Sequence, residues 1–183
     1  MTRIEAEGLL NQYVSTEWLK KHSIAAAAVM QGLAERLERD ADEWWITGLI
    51  HDLDFDLTQD PAVHGLKSAE ILSALNIKEE IIQAVKAHNA EGLGIERKTE
   101  LDYALSCGES ITGLIVAAAL VMPDKKLASL KPSSVVKRMK KKDFARKVSR
   151  ESILLCRRIG LELDEFAGIA VAAMRKVADQ LGL

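Results

Sequence analysis

The chain has 183 residues, of which 48% are hydrophobic and 28% are charged, so it can bury a sizeable core, and we expect one domain over residues 1–183. Its formal net charge of −2 excludes a general attraction to nucleic acid or to an anionic membrane surface. The two cysteines, Cys107 and Cys156, match no Cys-x-x-Cys spacing and accompany no signal peptide, which predicts reduced thiols in a cytoplasmic protein.

The first predicted elements are two helices. Residues of good helix propensity dominate the chain, and only 3 prolines and 11 glycines interrupt them. Hydrophobic residues at spacings of three and four predict a long amphipathic helix over residues 16–38, with Ser15 or Thr16 as its N-cap. A second helix begins near residues 40–42 and ends close to His51. No stretch has the pattern of a β-strand.

Three more helices are predicted in the middle of the chain. One covers residues 65–74. The next begins at Asn76, where Glu79 three residues later resembles a capping box. The third covers residues 99–121 and stops before Pro123.

The last part of the chain contains a basic segment, residues 137–147, followed by helices near residues 150–159 and from about Asp164 onward. The longest apolar run, residues 111–122, is shorter than the ~20 residues of a membrane span, so it predicts a buried helix and no membrane contact. No internal repeat or linker interrupts the pattern. We therefore predict a single all-α domain built as a helical bundle.

The chain has four histidines, each on or beside a different predicted helix: His22, His51, His64 and His88. A lone histidine on an apolar helix face is more often a hydrogen-bonded core residue than a ligand, so a plain helical scaffold is one interpretation. Four together favour a metal site, because helical bundles build such sites from inward-facing side chains. Asp52 directly follows His51, and on a helix the two side chains point about 100° apart, so one cation between them reaches both.

The motifs occur along the chain in the order His22, His51-Asp52, His64-Gly65, His88-Asn89. This order, together with GLIHDL at residues 48–53 and ALSCGESITG at residues 104–113, resembles the HD-domain superfamily of metal-dependent phosphohydrolases. It is most similar to the variants with two extra histidines between the His-Asp doublet and the final acidic ligand. The resemblance implies an all-α bundle of the HD-domain type.

The resemblance also implies a centre of one or two divalent ions. The implied first ion is held by His22, His51, Asp52 and Glu109, and Asp52 bridges to a second ion held by His64 and His88. Ligands of nitrogen and oxygen without thiolate suit Mn²⁺, Fe²⁺, Zn²⁺ or Co²⁺. The family has Asp at the position of Glu109, and the extra methylene of Glu moves the carboxylate by roughly 1 Å. Asp102, two helical turns before Glu109 on the same helix face, is a candidate substitute ligand or a residue that holds a ligand in place.

The implied reaction is metal-assisted hydrolysis of a phosphate ester or anhydride in a small phosphorylated metabolite, for which we expect a nucleotide or dinucleotide. We take Asp52, Asp54 and Lys67 as the candidate catalytic residues. Asp54 and Asp56 either orient the attacking water, tune a ligand histidine or are solvated loop acids. Lys67 and Lys86 are candidate phosphate-binding residues.

The basic segment at residues 137–147 has three interpretations: it attracts an anionic nucleotide to the metals, binds nucleic acid or is a solvated face. We favour the nucleotide over nucleic acid. The Asp-to-Glu change at Glu109 motivates an alternative function, a non-catalytic HD-type domain that binds metal or nucleotide as a sensor. The chain has three tryptophans, Trp18, Trp44 and Trp45, which belong either to the core or to an interface. If they form an interface, the protein is a homo-oligomer.

Overall fold

The computed structural model describes residues 1–58 and 60–183, which form helices and connecting turns with no β-strand among them. This confirms the predicted all-α class. The α-helices are α1 Arg3–Tyr13, α2 Glu17–Leu37, α3 Ala41–Ile50, α4 Leu66–Ala74, α5 Glu79–His88, α6 Ala90–Leu93, α7 Glu100–Leu120, α8 Pro132–Met139, α9 Arg150–Leu154, α10 Leu163–Lys176 and α11 Ala178–Leu181. Two 3₁₀ helices cover Leu127–Ser129 and Leu155–Ile159.

Helices α2, α3, α4 and α7 begin and end within about two residues of their predicted bounds. The predicted start of α5 is wrong. Asn76 adopts a left-handed backbone conformation with φ of 54°, and α5 begins at Glu79 without a side-chain cap. The two residues therefore form no capping box.

Three α-helices were not predicted from the sequence: α1, α6 and α8. Helix α1 begins with a capping box between Thr2 and Glu5, and its buried residues are Ala6 and Leu10. Helix α8 lies partly inside the basic segment and begins with Pro132 in its first turn. Helices α1 and α8 have only two buried residues each and α6 has one, so few apolar positions mark them in the sequence.

Helix α7 is the central element of the bundle and packs against α2, α5 and α9. It is long and apolar enough to cross a membrane by length and composition, but 67% of its apolar window is buried against the rest of the protein. Burial of this kind is typical of a core helix. The predicted buried helix is thus present, although Leu120 and Val121 at its end are exposed.

Helices α2 and α3 approach each other backbone to backbone. A Cβ atom added to Gly48 of α3 would lie 2.8 Å from Ala27 Cα of α2, which is closer than real Cβ contacts. Ala26 and Ala27 are fully buried, so small residues line both sides of this crossing. The close crossing brings the end of α3 next to His22 of α2.

Asp56 fixes the N-terminus of α2 from a distant part of the chain. Its carboxylate accepts hydrogen bonds from the backbone N–H groups of Ser15 and Thr16, at 2.7 and 3.0 Å, and from both hydroxyls. These hydrogen bonds lower the pKa of Asp56 to about 2. Thr16 is the N-cap residue, as predicted, but its side chain makes no capping bond. Asp56 is therefore a capping residue of the fold.

Candidate metal centre

Four histidines from four parts of the chain meet at one place. His22 lies on α2, His51 directly follows α3, His64 lies in the turn before α4, and His88 ends α5. The ring centroids of neighbouring pairs are 4.8 to 5.2 Å apart. The structure brings together all four histidines that the sequence singled out.

Backbone carbonyl groups orient two of the imidazole rings. His51 Nδ1 lies 2.8 Å from the carbonyl oxygen of Gly48, and His88 Nδ1 contacts the carbonyl oxygen of Val85 in the same way. A carbonyl oxygen can only accept, so both Nδ1 atoms donate their hydrogen. In the neutral form of each ring, Nε2 is then left with a lone pair and no hydrogen.

Side chains orient the other two rings in the same sense. The Thr112 hydroxyl donates to the backbone carbonyl of Glu109 at 2.6 Å, so it accepts from His22 Nδ1 at 3.1 Å. The Asp54 carboxylate accepts from His64 Nδ1 at 2.8 Å. Every one of the four rings therefore has its Nδ1 hydrogen bound and its Nε2 atom available as a metal ligand.

All four Nε2 atoms lie near the carboxylate of Asp52. Asp52 Oδ1 is 3.3 Å from His64 Nε2, 3.3 Å from His88 Nε2 and 3.4 Å from His51 Nε2, and Oδ2 is 3.7 Å from His22 Nε2. These atoms form two groups of three that share Asp52: His22, His51 and Asp52 in one, and Asp52, His64 and His88 in the other. Within each group the ligand atoms lie within 4.8 Å of one another.

The chemistry of this cluster fits a divalent cation. His64 Nε2 and His88 Nε2 are 2.9 Å apart, and two lone pairs at that distance repel unless a proton or a cation lies between them. Asp52 Oδ1 is buried without a hydrogen-bond partner, which costs about 1–3 kcal/mol or more for a charged group. A cation would satisfy the nitrogens and the carboxylate together.

The electrostatic environment shifts the pKa values of His51 and His64 in opposite directions. Burial lowers the pKa of His51 to about 3, so its ring is neutral at pH 7. Burial acts on His64 too, but the attraction of the nearby Asp52 and Asp54 carboxylates outweighs it and raises the pKa of His64 to about 10. Burial alone would raise the pKa of Asp52, yet the surrounding imidazoles hold it well below its usual range. With no cation bound, a proton on His64 would balance the charge of Asp52, and a divalent ion bound at Nε2 would displace that proton.

Asp54 is completely buried and uses both carboxylate oxygens. Besides His64, it accepts hydrogen bonds from the backbone N–H groups of Gly65 at 2.7 Å and Ser68 at 3.2 Å. Gly65 has a φ of 90°, a left-handed conformation that favours glycine. Of the roles considered for Asp54, its position matches that of a residue that orients a ligand histidine.

Glu109 lies at the edge of the cluster. Its Oε2 atom is 3.8 Å from His22 Nε2, its other oxygen accepts a hydrogen bond from the Ser110 hydroxyl, and burial raises its pKa. Glu109 belongs to neither group of three among the described residues. Asp102 caps the N-terminus of α7, where both its oxygens accept hydrogen bonds from Lys98 and Thr99. It is therefore not available as a substitute ligand.

The structure does not bring Lys67 to the cluster. Lys67 lies in the first turn of α4, where its ammonium group pairs with Glu70 at 2.8 Å, and its side chain is 56% exposed. Lys67 was predicted to have a role at the site because it lies three residues after His64. At the start of α4, however, its side chain points to solvent. Lys86 forms an ion pair within α5. Neither lysine lines the cleft beside the cluster.

A cleft of about 740 Å³ lies beside the cluster. Its walls include His22, His88 and Glu109, together with Lys147 from the basic segment. A second cleft, of about 490 Å³, is lined by Trp45 and other residues of α1, α2, α3 and α10, and it contains no candidate metal ligand. The first cleft is thus the candidate substrate site.

Two residues of the site were not predicted to have a role. Thr112 binds His22 across 90 positions of sequence, and no local pattern indicates such a pair. Asn89 donates from Nδ2 to the carbonyl oxygens of Pro61 at 2.7 Å and His64 at 3.0 Å, so it ties the His64 turn to the end of α5. The sequence feature that could have indicated this role of Asn89 is its position directly after the candidate ligand His88.

Comparison with known proteins gives one family match. The family model described as the HD domain matches residues 19–121, which is more than half of the chain. The matched region includes all six candidate metal ligands, from His22 to Glu109. No solved structure was found to match the chain.

Proposed function

The chain belongs to the HD-domain family, which is typical of metal-dependent phosphohydrolases that bind divalent metals, and from this premise we propose that it hydrolyses a phosphate ester or anhydride in a small phosphorylated metabolite. The observation that supports the proposal most strongly is the common orientation of the four histidines. Each Nδ1 atom is bound by an acceptor, and each Nε2 atom lies near the Asp52 carboxylate.

His22, His51 and Asp52 would hold one ion, and Asp52, His64 and His88 would hold a second. When bound, such ions polarise phosphoryl oxygens and make water more acidic. Glu109 lies 3.8 Å from His22 Nε2, close enough for a small shift of its side chain to bring it to the first ion. Mn²⁺, Fe²⁺, Zn²⁺ and Co²⁺ all suit this set of nitrogen and oxygen ligands.

The residues around the ligands fix their geometry. Asp54 holds the Nδ1 hydrogen of His64, and Thr112 holds that of His22, so the Nε2 lone pairs keep their direction before metal binds. Asp52 supplies the negative charge between the two groups of ligands. The role of Asp52 in catalysis would be to hold the ions, while Asp54 would act through His64.

We propose a nucleotide or dinucleotide as the substrate. Its phosphoryl group would enter the cleft beside His22 and His88, whose volume of about 740 Å³ lies within the roughly 300–1,000 Å³ that is usual for small-molecule sites. A phosphoryl anion suits this position because the ions would supply positive charge at the end of the cleft.

The experiment is a phosphate-release assay on a broad panel of nucleotides, with the protein loaded separately with each of the four metals. We expect turnover with at least one metal and loss of turnover in His51→Ala. Lys67→Ala is the control and should keep activity, because Lys67 is exposed and paired with Glu70. No phosphate release from the metal-loaded protein on the whole panel would contradict the proposed reaction.

The position of Glu109 favours a second candidate, a non-catalytic domain that binds metal or nucleotide as a sensor. Glu109 replaces the family's Asp and lies outside both groups of three ligands among the described residues. If the native protein binds metal without turnover and Glu109→Asp gains turnover, the sensor is the better description. Turnover in the native protein that disappears in His51→Ala would eliminate it.

A further inference from the structure

The segment before α9 presents one basic side chain to the cleft. Lys147 lines the cleft together with His22 and Glu109. Lys147 is exposed and has no salt bridge among the described residues. Lys142 belongs to the same basic segment and is also exposed, but it does not line the cleft.

The charged residues that line the cleft are mostly acidic, and Lys147 differs from them in carrying a positive charge. Among the described residues that line it, Lys147 is the one lysine or arginine, whereas three are glutamates: Glu91, Glu109 and Glu151. Glu91 is already paired with Arg97 at 2.7 Å. Among the described lining residues, Lys147 therefore offers the one ammonium group to an anion that enters this cleft.

Arg150 holds the loop that carries Lys147. Its Nη1 atom donates to the carbonyl oxygens of Ala145 at 2.7 Å and Val148 at 2.8 Å. Its Nη2 atom donates to the carbonyl oxygen of Phe144 and, at 3.4 Å, to that of Lys141. One guanidinium group thus fixes four backbone carbonyls within a single turn-rich segment.

Two further contacts define the same loop. Ala145 adopts a φ of 46°, a conformation that residues other than glycine rarely adopt without support from their surroundings. Val148 packs against Gly113 of α7, where an added Cβ would lie 3.1 Å from Val148 Cγ2. Gly113 is one helical turn after Glu109, so this contact sets the loop against the wall of the cleft.

We propose that Lys147 binds a phosphoryl oxygen of the substrate and that Arg150 is a positioning residue that holds Lys147 at the cleft. The inference rests on the proposed hydrolysis of a phosphorylated substrate, and it assigns the recognition of the anion to one side chain of the basic segment. The other lysines of the segment are exposed too, but they do not line the cleft.

The test compares Lys147→Ala, Lys147→Arg and the matched control Lys142→Ala, using pyrophosphate hydrolysis by the metal-loaded protein and inhibition by inorganic phosphate. In Lys147→Ala we expect KM and the phosphate inhibition constant to rise about tenfold to a hundredfold, with kcat within about twofold, because a charge-assisted hydrogen bond is lost. Lys147→Arg should recover part of the loss. Lys142→Ala should match the native protein, and equal KM values for Lys147→Ala and Lys142→Ala would overturn the inference.

The positioning role of Arg150 is tested with Arg150→Lys, because an ammonium group cannot donate to four carbonyls in the planar arrangement of a guanidinium. We expect the KM defect of Lys147→Ala, with unchanged metal content and circular dichroism. A protein that carries both Arg150→Lys and Lys147→Ala should have a KM no higher than that of either single variant, because both substitutions remove the same contact. A native KM in Arg150→Lys, or additive defects, would contradict this role.

Binding of inorganic phosphate, measured by equilibrium dialysis, separates the two proposals. If the native protein releases no phosphate from pyrophosphate or from the nucleotide panel, the hydrolase proposal fails. If the metal-loaded native protein still binds inorganic phosphate at least tenfold more tightly than Lys147→Ala does, the anion site stands. Native affinity in Lys147→Ala, or no phosphate binding at all, overturns it.

Discussion

The substitution Asp54→Asn isolates the effect of a residue that does not touch the metal. The carboxylate of Asp54 accepts three hydrogen bonds, from His64 Nδ1 at 2.8 Å and from the backbone N–H groups of Gly65 and Ser68 at 2.7 and 3.2 Å. Asn has the same shape but one oxygen and one NH2 group. If the amide oxygen faces the backbone N–H groups, the NH2 group faces the N–H of His64, and two donors meet.

The least costly response is a change of tautomer at His64. The ring would then accept a hydrogen bond at Nδ1 and carry its hydrogen at Nε2, which removes Nε2 as a ligand. We therefore expect the group of Asp52, His64 and His88 to lose about 10–100-fold in metal affinity, the usual effect of removing an outer partner of a ligand histidine. The lost charge-assisted hydrogen bond should also lower the free energy of unfolding by about 1.5–3 kcal/mol.

The assay is calorimetric titration of chelator-treated protein with Mn²⁺ or Zn²⁺, alongside denaturant unfolding. Asp56→Asn is the matched control, because its carboxylate also accepts several hydrogen bonds but serves the N-terminus of α2. The control should lose stability while keeping native metal affinity. Native metal affinity in Asp54→Asn would refute the claim that Asp54 fixes the tautomer of His64.

Three other predictions concern the fold and its linkage to the site. The pKa of Asp56 is lowered from its usual value near 3.8 to about 2, so its stabilising effect is complete above pH 4 and is lost as pH falls toward 2; acid titration of Asp56→Asn should lack this loss, and an unchanged profile would contradict the capping role. Gly48→Ala should lower the free energy of unfolding by about 1–3 kcal/mol because the methyl group meets the α2 backbone, whereas Gly168→Ala, with no atom within 4 Å, should be neutral or stabilising; equal unfolding curves would argue against the close crossing. Removal of metal by a chelator should lower Tm by roughly 5–10 °C through mass action, and a thermal scan without that change would favour a plain helical scaffold with satisfied histidines.

The long helices were predictable because their hydrophobic residues recur at helical spacing. Helix α2 has ten buried residues and α7 has thirteen, so the helical spacing of the buried residues is clear in the sequence of both helices. The start of α5 was not predictable, because Asn76 fits both a helix cap and a left-handed turn, and the packing of the folded chain decides between them.

The candidate metal ligands were found because the order of histidine and acidic motifs resembles a family, and the structure brings the four histidines together around Asp52. The residues that orient those ligands were mostly not found. Thr112 reaches His22 across 90 positions. The basic segment was considered as an attractor of the nucleotide, but the sequence did not indicate that Lys147 is the residue of that segment that lines the cleft. Such contacts depend on how helices pack, which local sequence patterns do not encode.

The metal content of the purified protein, measured by mass spectrometry after exposure to Mn²⁺, Fe²⁺, Zn²⁺ and Co²⁺, tests the central claim most directly. The orientation of the four Nε2 atoms around Asp52 predicts one or two equivalents of one of these metals per chain. It also predicts a lower content in His51→Ala and His88→Ala, each of which removes one Nε2 ligand from one of the two groups. No stoichiometric metal in the native protein, or full native content in both variants, would contradict the account.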